Sequence, residues 1–296
     1  MEVENECLAA SSLLVSDSWV IENWQLRELL GSGGFSEVKR GVRPALGDEM
    51  CAVKIINKQH LFEYRRERGS HLSVRSEMDM LIGLCNPGIL RVFDCVETPE
   101  KMYISMELLE GGDMLQCILA HGSFREGDAL RIFQEIAKAV DFLHGQDLVH
   151  RDLKPENLLL TTQQRSTMLP KLADFGLARS SVQPNDCLTI CGTPLYYAPE
   201  IVSTLYDKNA GYAGGGYGKQ ADIWILGVVL YIMISGLPPF GDDDLYEHIL
   251  DGQYDFADAG WQEVSAGAKD LVTQLMCVSP SKRLTPRRML NHEWFV

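Results

Sequence analysis

The chain has 296 residues, 46% of them hydrophobic and 23% charged, so it can bury one large core or two smaller ones and is not a disordered segment. Lys and Arg number 27 against 41 Asp and Glu, for a formal charge of −14. A surface this acidic repels nucleic-acid backbones and anionic lipid headgroups and favours basic partners.

Residues 1–23 hold no basic stretch followed by an apolar core, so they read as an N-terminal extension without a signal or transit peptide. From Trp24 to Leu109 the pattern is that of strands: WQLRELL, SEVKRGVR, EMCAVKII, LRVFDCVE and MYISMELL, parted by Gly or charged turns. One helical segment interrupts them from Ser73 to Leu84, where Val74, Met78, Leu81 and Ile82 recur at helical spacing and Asn86-Pro87-Gly88 stops it. Beyond Gly111-Gly112 the pattern turns helical, through DALRIFQEIAKAVDFLHGQ, an apolar segment from Ile223, VSAGAKDLVTQLMCV and TPRRMLNHEWFV. Ile223 to Gly241 is a run of 19 uncharged residues, about the length of a bilayer span. Pro238 and Pro239 end that helix early and Asp222 and Asp242 to Asp244 flank it, so it predicts a buried central helix and no membrane partner. Strands first and helices later predict an α+β chain of two lobes, 24–109 and 110–296. The eight cysteines, Cys7, Cys51, Cys85, Cys95, Cys117, Cys187, Cys191 and Cys277, form no Cys-x-x-Cys pair and no zinc-spaced cluster. They read as reduced thiols of an intracellular protein, cytoplasmic or nuclear.

Between the first two strands lies Gly31-Ser32-Gly33-Gly34-Phe35-Ser36-Glu37-Val38. Glycines there let backbone amides approach a triphosphate, although an ordinary hairpin turn has the same look. Its neighbours favour phosphate: Ala52-Val53-Lys54 puts a lysine on the third strand, and Glu77 on the following helix can hold that ammonium in place. Then come His150-Arg151-Asp152-Leu153-Lys154-Pro155-Glu156-Asn157, Asp174-Phe175-Gly176 and Ala198-Pro199-Glu200, with Asp152, Asp174 and Glu200 spaced 22 and 26 positions apart.

These motifs, in this order, resemble the catalytic loop, metal-binding triplet and end of the activation segment of eukaryotic protein kinases, and the similarity runs from Trp24 to Val296. The resemblance implies a two-lobed fold, a small antiparallel β lobe with one helix and a larger, mainly helical lobe. It implies ATP and Mg2+ as cofactors, with Asp152 as the base for the substrate hydroxyl, Lys154 neutralising developing charge, and Asn157 and Asp174 as metal ligands. Gly31, Gly33, Gly34 and Lys54 would face the phosphates. The adenine would lie among Val38, Ala52 and Leu159, with Met106 as gatekeeper, a hinge from Glu107 to Leu109, and Asp113 just beyond. The apolar members of that set could equally be plain core.

Other implied roles are structural. Glu200 would pair with Arg283, Asp222 would cap the catalytic-loop backbone, and Phe175, His150 and Leu81 would stack into a spine. Ser36 in place of the third loop glycine and Ile225 in place of serine depart from the family pattern without removing a group that touches ATP or metal.

The Leu-Lys-Pro-Glu-Asn run resembles serine/threonine rather than tyrosine kinases, and Leu177 resembles kinases favouring Ser. Asp113 and Glu156 match positions that pair with an arginine before the target, so protein substrates with basic residues near Ser or Thr are expected, Leu195 receiving the next residue. Ser235-Gly-Leu-Pro-Pro-Phe240, Gly252-Gln-Tyr-Asp-Phe256, Ala268-Lys-Asp-Leu-Val272 and Asn291-His-Glu-Trp-Phe295 resemble the calcium/calmodulin-dependent group. The insertion Val202 to Gly218, with its Gly-rich end, resembles checkpoint kinase 2-like kinases. Arg151 before Asp152 implies a switch by a phosphate at Thr189, placed by an upstream kinase or by another copy of the chain, with Thr193 a contact to Asp152 and Lys154. No calcium-binding loop is read around Asp242 to Asp244, where Glu247 stands in place of the required glycine. Two other readings are a catalytically silent scaffold of the same fold and a dinucleotide-binding oxidoreductase. The second would need its glycine loop to open a helix, whereas this one leads into another strand, and binding of ATP against NAD separates it.

Overall fold

Gln25–Ser32 (β1), Ser36–Arg43 (β2), Glu49–Asn57 (β3), Val92–Glu97 (β4) and Lys101–Glu107 (β5) pair into an antiparallel sheet of order β1-β2-β3-β5-β4. The computed structural model describes residues 24–33, 36–44, 47–60, 82–175, 179–180, 193–206, 218–241 and 243–296. All five strands read from the sequence are present. The reason is local: β3, β4 and β5 are rich in β-branched, aromatic and other apolar residues, and Gly33 and Asp48 lie in the turns between the first three strands. The helix expected over 73–84 lies, apart from 82–84, outside the described residues.

Alternation gives the sheet two different faces. Cys51, Val53 and Ile55 of β3 turn to one side, where they form a buried cluster with Trp24, Val96 and Tyr103, and Leu26 and Phe93 pack on it. Ala52, Lys54 and Ile56 turn to the other.

The chain forms two compact units that divide between Leu108 and Leu109. Two backbone bonds hold the start of the second unit to its own strands. Gly111 N donates to Leu160 O at 3.0 Å and Leu160 N to Gly112 O at 2.9 Å, which ties the segment from Leu109 onward to the second unit.

That unit contains the helices Met114–His121 (α1), Glu126–Gly145 (α2), Pro199–Tyr206 (α3), Lys219–Ser235 (α4), Leu245–Asp251 (α5), Ala266–Leu275 (α6) and Pro286–Met289 (α7). Three short ladders accompany them: Leu148–Val149 (β6) pairs with Arg179–Ser180 (β9), and Leu158–Leu160 (β7) with Pro170–Leu172 (β8), while Asp113 bridges to Leu159. α4 is buried from Ala221 to Ile234 and packs against α2 and α6. Gly227 permits the second contact, since a Cβ there would stand 2.5 Å from Met276 Cγ. No helix among the described residues is long and apolar enough to cross a membrane.

The last helical segment differs from its expectation. TPRRMLNHEWFV is not one helix: α7 is capped by Thr285 and ends at Met289, and a separate 3-10 turn spans Glu293–Phe295. The His292 ring accepts the Trp294 backbone N–H at 3.2 Å, which starts that turn. The chain direction so set places Trp294 and Phe295 against Phe133 of α2.

Candidate active site

In the first unit, β-sheet register gathers the residues expected to bind nucleotide. Val38 pairs with Lys54, Ala52 with Met106, and Gly31 with Val38. Directly paired residues share a face, so these five lie on the side of the sheet away from the Cys51–Val53–Ile55 cluster. Gly33 N donates to Ser36 O at 2.7 Å and closes the turn between β1 and β2. Glu107 faces oppositely, and its Oε1 accepts the Arg91 N–H at 2.7 Å. Gly34 and Glu77 fall outside the described residues, as do Leu81, Gly176, Leu177 and Thr189.

In the second unit the turn between β6 and β7 carries Asp152, Lys154 and Asn157. Lys154 Nζ lies 3.0 Å from Asp152 Oδ2. Asn157 Nδ2 donates to the same oxygen at 2.9 Å and to Asp152 O at 2.7 Å. The Asp152 carboxylate is therefore fixed from two sides. Lys154 Nζ also donates to Thr193 Oγ1 at 3.3 Å, so the expected contact of Thr193 to Lys154 is present.

The turn is held from beneath by Asp222 of α4, which is fully buried. Its Oδ2 accepts the His150 backbone N–H at 2.9 Å and its Oδ1 that of Arg151 at 3.1 Å. Arg151 has φ 71°, a left-handed conformation that L-residues adopt at a cost, and these two bonds help to secure it. His150 is 0% exposed. Its ring hydrogen-bonds Ala173 O at 3.1 Å and lies 4.8 Å from the Phe175 ring, so two of the three expected spine residues touch. Burial pushes the His150 imidazole below its ordinary range, against the pull of Asp222 and Asp152.

Pairing of β7 with β8 brings together the two expected metal ligands, Asn157 just before β7 and Asp174 just after β8. Ala173 N donates to Asn157 O at 2.9 Å, which places Asp174, itself at φ 55°, beside Asn157. The Asn157 amide nitrogen is committed to Asp152, leaving Oδ1 as that side chain's ligand atom. One carboxylate and one amide oxygen suit a hard divalent cation that completes its shell with phosphate oxygens and water. Among the described residues no group of three or more His, Cys, Asp or Glu could hold a metal alone.

Leu159 and Asp113 sit side by side through their bridge. Asp113 also has a local task the sequence did not show: its Oδ1 accepts the Gln116 N–H at 2.8 Å and caps α1. Glu200 meets Arg283 in a two-pronged ion pair, Nη1 to Oε1 at 2.8 Å and Nη2 to Oε2 at 2.9 Å.

Two residues near the site were not read from the sequence. Tyr196, in the 3-10 turn Pro194–Tyr196, is buried, and burial together with nearby Glu156 and Asp152 pushes its phenol well above the usual tyrosine range. His144, at the end of α2, touches Asp222. A lone His at a helix terminus has no spacing signal, whereas a second tyrosine beside Ala198-Pro199-Glu200 could have been noticed.

With this geometry in place, comparison with known proteins assigns the class. The family described as Protein kinase domain matches residues 24–295, and the chain belongs to the protein kinase family. The chain is 38% identical over 281 residues to the serine/threonine-protein kinase fhkD of Dictyostelium discoideum, covering 93% of this chain and 37% of that protein. It is 37% identical to myosin light chain kinase A of the same organism, over 92% of this chain and 87% of the relative. Calcium/calmodulin-dependent protein kinase type 1 of Macrobrachium nipponense is 36% identical, over 93% and 75% respectively. The enzyme class is protein serine/threonine kinase, which uses ATP with a divalent metal and acts on protein substrates.

Proposed function

We propose that the chain transfers the γ-phosphate of Mg-ATP to Ser or Thr hydroxyls that follow an upstream Arg, and that a phosphate on Thr189 switches it on. The observation that carries this reading is the Asp152 carboxylate, fixed by Lys154 at 3.0 Å and Asn157 at 2.9 Å. A carboxylate so held can take the substrate hydroxyl's proton while Lys154 balances charge on the transferring group. Asn157 Oδ1 and Asp174 would hold magnesium, whose chemistry is to bridge and neutralise phosphate oxygens. Gly31, Gly33, Gly34, Val38, Ala52, Lys54, Met106, Glu107, Leu109, Asp113 and Leu159 are assigned to the nucleotide, and Glu77 to Lys54.

The basic preference is supported by the carboxylates Asp113 and Glu156 near the catalytic turn and by the chain's charge of −14. The similarity to calcium/calmodulin-dependent protein kinase type 1 supports a place in the calcium/calmodulin-dependent group and in calcium signalling. The checkpoint kinase 2-like placement, with a role in a DNA-damage checkpoint, rests on the insertion after Val202 alone. An upstream kinase or a second copy in trans supplies the activating phosphate, and the site of action is the cytoplasm or nucleus.

The test is transfer from Mg-ATP to a peptide with Arg three residues before Ser. Asp152→Ala should lower kcat by about 10²-fold or more, Thr189→Ala should weaken activity, and Glu156→Gln should raise the peptide KM about tenfold. No transfer by the wild type, even after phosphorylation of Thr189 by an upstream kinase, returns the chain to the scaffold reading.

A further inference from the structure

α1 is fastened at both ends to one hairpin, the β7–β8 pair and its connecting loop. At its start the backbones of Gly111 and Gly112 bond to Leu160, and Asp113 bridges to Leu159. At its end the fastening is a single side chain from that loop. Arg165 sends Nη1 to Ser123 O at 3.1 Å and Nη2 to His121 O at 3.2 Å and Gly122 O at 2.7 Å, and its guanidinium lies 4.9 Å from the Phe124 ring centre. The last carbonyls of a helix lack intrahelical donors and carry partial negative charge, so a forked cation suits them.

The loop is itself held. Arg131 of α2 donates through Nη1 to Met168 O and through Nη2 to Arg165 O, both at 2.6 Å. Since α2 follows α1 across only four residues, the two arginines close a circuit: α1, the connection, α2, the loop, and back to the end of α1.

What this circuit fixes bears on the substrate. Asp113 caps α1 through the Gln116 N–H, so its carboxylate turns with the first turn of that helix. α1 also packs against the 3-10 turn Pro155–Asn157, which carries Glu156. The two carboxylates expected to receive a substrate arginine therefore sit on α1 and on the turn it covers, and their spacing follows the tilt of α1. Met114, Cys117 and Ile118 bury its inner side, and polar ties set the swing of its far end. The Gly122 N–H bonds back into the helix at Ile118 O, and the Phe124 N–H reaches Met233 O only beyond the helix end. Arg165 is the side chain that grips the end itself.

We infer that Arg165 is a positioning residue for substrate selection, which sets the far end of α1 and through it the spacing of Asp113 and Glu156 that discriminates a substrate arginine. The inference rests on the proposed basic preference.

The test uses two peptides that differ only in Arg or Ala three residues before Ser, with hydrogen exchange as a second readout. Arg165→Met keeps the length of the side chain and removes its donors. It should raise the KM of the Arg peptide about threefold, leave the KM of the Ala peptide and both kcat values within about twofold, and speed exchange of the Gly122 amide. Arg165→Lys, with three donors on one nitrogen, should recover part of both the discrimination and the protection. Arg131→Met, which frees the loop, should lower discrimination in the same direction. A merely structural role would lower kcat for both peptides alike and leave the ratio of their KM values unmoved; that result, or a wild-type KM for the Arg peptide in Arg165→Met, overturns the inference. If Arg165→Met does not fold, Arg165→Gln, too short to grip all three carbonyls, and Arg131→Met decide by the same ratio, and an unchanged ratio in both overturns it. Glu156→Gln is run alongside: a wild-type ratio there removes the basic preference, while exchange of the Gly122 amide still reports on whether Arg165 holds α1.

Discussion

Arg283 brings a full charge into a side-chain environment that is 0% exposed, and its tolerance there is a matter of counting donors. Nε donates to Cys277 O, Nη1 to Glu200 and Gln220 O, and Nη2 to Glu200 and Val278 O, so all five N–H groups are used, while the guanidinium also lies 5.4 Å from the Trp224 ring centre. Removing one member strands the other in the interior, which costs about 3–5 kcal/mol. Arg283→Met should therefore lose about that much in denaturant unfolding, and Arg283→Lys should recover little, because three donors on a point charge cannot reproduce a planar fork. His150 gives a pH dependence. Its folded pKa is depressed by burial, so below the ordinary imidazole range of about 6.5 the unfolded chain takes up a proton that the native chain does not. Stability is then complete above that range and falls as pH drops through and below it. Unfolding midpoints should decline between pH 7.5 and 5.5, and His150→Phe should flatten the decline. Asp152, Lys154 and Asn157 were legible because they form one contiguous run with Glu156. His144 was not, because the contact that matters joins residues 78 apart in sequence.

At the scale of elements, legibility followed burial pattern and length. The five strands of the sheet were readable from alternation and turn residues, and α2 and α6 from helical spacing. The short helices α1, α3 and α5 were not, since seven or eight residues give at most about two turns of periodicity. The central helix was read from Ile223 but starts at Lys219. An apolar run marks only the part that needs no partners, and Asp222 is buried beyond that mark because its oxygens are satisfied by N–H donors. Gly111 shows the opposite case, a residue whose importance lies in what it lacks. A Cβ there would stand 2.3 Å from Leu160 O, a backbone atom that cannot swing aside. Gly111→Val should part the segment from β7 and destabilise the second unit by about 1–3 kcal/mol, read as a lowered melting temperature with slower refolding not required.

For the whole molecule, the charge of −14 sets how partners arrive. Opposite charge raises encounter rates, and salt screens that gain over a Debye length of about 8 Å at physiological ionic strength. Association of an Arg-bearing peptide should slow as salt rises from 50 to 300 mM, by a larger factor than dissociation quickens; stopped-flow binding separates the two. The position of Asp222 carries a further consequence. The residue that anchors the catalytic turn belongs to a helix buried from Ala221 to Ile234, so heat that melts the helix also releases the turn. Hydrogen exchange at the His150 and Arg151 amides should rise with the same thermal midpoint as loss of helical signal from the second unit.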